Sequence, residues 1–79
     1  MPFESRIKIV ALKAAMDLTL KGMYKNPERC ARNLIELVCD SYPSKLTQTK
    51  RAELFQRILE QIELDNAKKI KEILLEIIN

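Results

Sequence analysis

Cys30 and Cys39 are the only thiols in this 79-residue sequence, and it contains no histidine. Thiolates and imidazoles are the donors from which zinc sites are built, usually four at a time. With no CxxC pair and no second set of soft donors, a zinc site would lack ligands. On one helix the two thiols would face opposite ways, roughly 13 Å apart along the axis and beyond disulfide reach. They read as small, partly buried apolar residues. Without histidine the commonest general base is missing, and no nucleophile sits beside a plausible replacement. The lone glycine, Gly22, cannot make a phosphate-cradling loop. The carboxylates fall on expected solvent faces, most with a basic neighbour one helical turn away. The expectation is a chain with no catalytic residues, no cofactor and no metal.

The basic residues offer a second chemistry. Lys21, Lys25, Arg29 and Arg32 gather around the first interhelical turn and could form one edge for nucleic-acid contact. Lys45, Lys50 and Arg51 crowd the next loop. The net charge of +3 is uneven: residues 1–50 carry nine Lys/Arg against five Asp/Glu, and residues 51–79 carry five against six. That imbalance is within the range solubility alone explains. Glu53 and Glu60 also stand on the helix that would read a groove, where they repel phosphates.

The elements that position these groups are helical throughout. Leu, Ile, Glu, Lys and Arg dominate, and aromatic residues make up 5%. Asn26-Pro27-Glu28 is a helix start, with an Asn cap, a first-position proline and an acid in the first turn. The second helix is expected from Pro27 to about Tyr42, where Pro43 ends it. Its stripe is Cys30, Ala31, Leu34, Ile35, Leu37, Val38 and Tyr42. Thr47 caps a third helix reaching about Glu63, with Ala52, Leu54, Phe55, Ile58, Leu59 and Ile62 inward. Running that helix on through Leu64-Asp65-Asn66 would rotate its apolar stripe, so a break or sharp bend is expected, with Asp65 as the next cap. A fourth helix then carries Ala67, Ile70, Ile73, Leu74, Ile77 and Ile78 inward and leaves Leu75 on its outer edge.

The first helix, Phe3 to about Gly22, is apolar on two sides. At roughly 100° per residue, Phe3, Ile7, Val10, Ala11, Ala14 and Leu18 make one stripe. Ile9, Leu12, Met16, Leu20 and Met23 make another, nearly opposite. Such a helix is either enclosed by its own chain or shared with another one. Three remaining stripes could cover both sides and make this helix the central post of the domain. If they fall short, Ile9, Leu12, Met16, Leu20 and Met23, together with Leu75, are the expected interface. The partner would be another protein or a second copy, as a homodimer.

From Ala11 onward the chain resembles the small helical segment that precedes the iron–sulfur core in some bacterial radical SAM proteins. The likeness lies in Tyr24-Lys25-Asn26-Pro27-Glu28-Arg29, in Leu34-Ile35-Glu36-Leu37 and in the Asp65-Asn66 turn. No three-cysteine cluster motif is present, so no cluster or SAM-binding role carries over. The resemblance implies a stand-alone helical accessory domain.

The sequence is therefore read as one all-α domain, residues 1–79, a bundle of about four helices with short loops. The expected function is protein–protein interaction, as an adaptor or regulatory subunit without catalysis. The alternative is a basic nucleic-acid-binding domain. No membrane span or signal peptide is discernible, and unpaired cysteines suit a cytoplasmic setting.

Overall fold

The computed structural model describes residues 3–78, with the backbone alone for Phe3 and Glu4. Pro2, which suits the first turn of a helix, the Phe3 side chain and a Glu4–Lys8 pair at the favoured i,i+4 spacing lie outside the described residues. Those residues form four α-helices and no strand: α1 (Phe3–Leu20), α2 (Pro27–Ser41), α3 (Gln48–Glu63) and α4 (Ala67–Ile78). A single 3₁₀ turn, Pro43–Lys45, lies between α2 and α3. No described helix is long and apolar enough to cross a membrane.

Local chemistry sets each helix end. The Asn26 side-chain oxygen accepts from the Arg29 N–H at 3.1 Å, and Pro27 follows as the first residue of α2. Tyr42, held at φ −137° before Pro43, closes that helix. Thr47 Oγ1 accepts from the Lys50 N–H at 3.2 Å and opens α3. Between α3 and α4 the chain breaks, as the rotating stripe predicts, but by a different device. Asp65 takes φ 56°, the left-handed region where Asp is tolerated better than most residues. Its N–H donates to the Ile62 carbonyl at 3.0 Å, and the Asn66 N–H donates to the Gln61 carbonyl at 2.9 Å. This is a Schellman closure of α3. Asn66, not Asp65, then caps α4, its side chain accepting from the Lys69 N–H at 3.2 Å. Asp65 cannot serve both ends, because a residue in the left-handed conformation is already committed to the preceding helix.

The helices close into a ring. α1 packs mainly on α2 and α4, α2 on α3, and α3 on α4. Met16, Leu34, Val38, Ile58, Ile70 and Leu74, contributed by all four helices, are fully enclosed. Leu46, in the short connection that the sequence reads as a loop from Ser44 to Leu46, is also buried, and fastens the 3₁₀ turn to the core. Leu37, Tyr42, Phe55, Leu59, Ala67 and Ile77 pack around this centre, and Leu75, expected outside, joins them half-buried. Ala52, expected inside, is exposed. A methyl group contributes little burial energy, so the larger Leu54 and Phe55 determine how α3 is rotated.

The end of α1 does not depend on its glycine. Gly22 has negative φ, and a Cβ there would meet only the Thr19 carbonyl, at 3.7 Å. The helix instead tightens through N–H donation from Gly22 to the Thr19 carbonyl and from Met23 to the Leu20 carbonyl, both 3.1 Å. Alanine fits this backbone and leaves the unfolded chain with less freedom to lose. Gly22→Ala is expected to raise unfolding free energy by about 0.5 kcal/mol in urea titrations. A loss of stability would show that the turn needs a conformation only glycine allows.

Candidate interaction surface

Only one of the two apolar stripes on α1 finds room in the ring, and it is the one assigned above to an interface. Leu12, Met16 and Leu20 of α1, with Met23 just beyond it, are buried, Met16 completely, and Ile9 is half-buried beside them. Interface residues must be available to a partner, so these four belong to the chain's own core. The opposite stripe is left in solvent: Ile7 is 53% exposed, Val10 66% and Leu18 67%, with Ala11 and Ala14 exposed between them. Nor is α1 a central post, since its main neighbours, α2 and α4, both meet its inner side.

Size explains the choice. Leu12, Met16, Leu20 and Met23 are four long side chains at consecutive turns. The other stripe spends two of its positions on alanine. Burial energy scales with apolar area, at about 25 cal/mol per Å², so the four long residues gain more by turning inward. The unbranched methionines also adapt to irregular gaps in the packing.

Two polar contacts fix the rotation. Asp17, on one flank of α1, meets Lys71 Nζ of α4 at 2.9 Å. On the other flank, the Lys8 ammonium lies 4.2 Å above the centre of the Tyr42 ring, just after α2. Asp17 and Lys8 are about half a turn apart on the helical wheel, with the exposed stripe midway between them. Each contact is partly solvated and individually weak. Together they hold the Ile7–Leu18 face outward.

The basic edge is only partly assembled. Lys25 and Arg29 line one shallow depression with Asn26 and Asn33. Arg32 turns instead to Glu28 of its own helix, at 3.8 Å. Lys21 is exposed but does not line that depression. A second groove, of about 420 Å³, runs between the 3₁₀ turn, α3 and α4. Lys45, Lys50 and Arg57 share it with Glu53 and Glu76 over an apolar floor, so its charges are mixed.

Among the described residues no three His, Cys, Asp or Glu side chains converge as metal ligands, and no polar side chain is buried. Both cysteines are free, Cys30 buried and Cys39 half-buried. The Cys30 thiol donates to the Thr19 carbonyl at 3.5 Å, joining the start of α2 to the end of α1. Burial pushes the Cys30 thiol above its ordinary pKa. No family model, curated protein or solved structure matches the chain.

The two thiols should differ in reactivity, because the thiolate is the attacking species and must be reached. Cys39 is expected to react with an aromatic disulfide reagent well before Cys30, with Cys30 released only on unfolding. Equal rates in native buffer would contradict the burial of Cys30. The stability conferred by the neutral buried thiol is complete below the ordinary thiol range. It is lost as pH rises toward the elevated folded value.

Proposed function

We propose that this protein is a small helical interaction module, an adaptor or regulatory subunit without catalytic activity, that binds a partner through the outer stripe of α1. One observation carries the reading. Ile7, Val10 and Leu18 lie exposed in line along a single helix, while the core is complete without them. Scattered apolar residues on a surface are ordinary, but a contiguous row on one rigid element is the form a helix-docking face takes. A reducing, cytoplasmic setting suits two free thiols.

Opposite effects are expected from charging the two stripes. The double variant Val10→Glu/Leu18→Glu should unfold within about 0.5 kcal/mol of the parent, as exposed substitutions do. It should also fail to retain a protein ligand, own chain or other, that the immobilised parent retains. Leu12→Glu/Met16→Glu should abolish folding, since it buries unpaired charge. Equal retention by the parent and the outer-stripe variant would sink the proposal.

Nucleic-acid binding is the second reading, favoured by the single depression that Lys25 and Arg29 share. It requires binding to short duplex or single-stranded oligonucleotides that weakens steeply with salt and on neutralising Lys21, Lys25, Arg29 and Arg32. Absence of binding at low salt, measured by fluorescence anisotropy, would eliminate it.

A further inference from the structure

We infer that the outer stripe of α1 is occupied by the same stripe of a second copy, with the two helices antiparallel about a two-fold axis between Ala11 and Ala14. This inference rests on the stripe being a docking face and adds the partner and its orientation. Ile7 large, Ala11 and Ala14 small and Leu18 large read the same from both ends; Val10 alone departs from the pattern, its counterpart position being Ala15. An isologous contact needs a self-complementary surface. With the axis between Ala11 and Ala14, Ile7 of each copy stands opposite Leu18 of the other. Each Ala11 faces an Ala14, so the backbones can approach closely at the crossing. The five stripe positions whose side chains are described are all exposed and make no contribution to the buried core.

Charge selects the orientation. In an antiparallel pair the same flank of each helix faces its counterpart. Arg6, Lys13 and Asp17 lie on one flank. In this register Arg6 falls two residues, about 3 Å along the axis, from the partner's Asp17, and the two Lys13 side chains approach each other once at the axis, a single like-charge contact against two opposite-charge ones. Two symmetric Arg6–Asp17 pairs result, each extending the existing Asp17–Lys71 contact. A parallel pair would turn Asp17 toward the other flank, which holds Ala15 and Thr19 at that height and no basic residue. A seam confined to one helix about 27 Å long is at the low end of interface sizes, so the dimer should be weak and dependent on concentration.

Sedimentation velocity on the full chain from 5 to 500 µM, in about 150 mM salt, is the first measurement. The sedimentation coefficient should rise with concentration, and Val10→Glu should shift that rise at least tenfold higher. Cysteine pairing then reads the orientation. Ile7→Cys mixed with Leu18→Cys should form an intermolecular disulfide between the new cysteines under mild oxidation, while either variant alone should not form one between its two introduced thiols. Peptide mapping separates these products from any that involve Cys30 or Cys39, and melting curves confirm that the variants fold. A strict monomer at 500 µM would overturn the inference, yet leave the docking-face reading to its own retention experiment. A dimer that survives Val10→Glu, or that crosslinks Ile7→Cys to itself, would overturn it as well.

Discussion

Helix α1 has two apolar faces, and the ring of helices can take only one of them. The rotation of α1 about its own axis therefore decides which residues are core and which are surface. The Leu12, Met16, Leu20 and Met23 side turns inward because its side chains bring more apolar area out of water. Asp17 and Lys8 hold that rotation from opposite flanks, one through Lys71 of α4 and one through the Tyr42 ring. These partners lie beside the two helices α1 packs on, so the polar contacts and the apolar packing favour the same rotation.

The rest of the ring follows from how the chain turns between helices. Each junction satisfies its exposed backbone groups with residues drawn from a few positions. Asn26 and Pro27 start α2, Thr47 starts α3, and Asp65 and Asn66 divide the work of ending α3 and starting α4. The last junction is the tightest. Asp65 accepts a left-handed backbone so that two carbonyls near the end of α3 gain donors, and Asn66 can then turn its side chain to α4. Two polar residues thereby replace a loop, and α4 is delivered directly onto α3 and α1.

Much of this was legible in the sequence. The four helices, the Asn26 and Thr47 caps, the stop at Pro43 and the break after Leu64 were all readable, because each depends on local chemistry or on one clear stripe. The candidate surface was not readable in the same way. Periodicity shows that α1 has two apolar sides, but not which side the other helices can cover. That depends on comparing whole stripes, four long side chains against a row interrupted by alanines, and on Lys71 and Tyr42, which are distant in sequence. Leu46 was missed for a related reason: a single apolar residue in a turn carries no period, and its burial comes from the packing around it. The role of Asp65 was misread because Asp suits both a helix cap and a left-handed C-terminal position, and the choice depends on the backbone.

The composition of the exposed stripe bears on why it is there. Ile7 and Val10 are β-branched and lose side-chain freedom in a helix, so lysine, glutamate or alanine at those sites would favour α1 more. Their exposed positions also leave much of their apolar area in water, which limits their contribution to the fold. Helix propensity and core packing therefore both fail to account for them. The proposed contact with another surface would account for them, and branched side chains suit it, since they have little rotamer entropy to lose on binding. Ala11 and Ala14 fit the same account from the other direction. They are good helix formers that contribute little apolar area by themselves, and in the proposed contact they would let a second backbone come close. Ile7 and Leu18 at the ends, Ala11 and Ala14 between them and Val10 at the edge make the row along which the proposed second helix would lie.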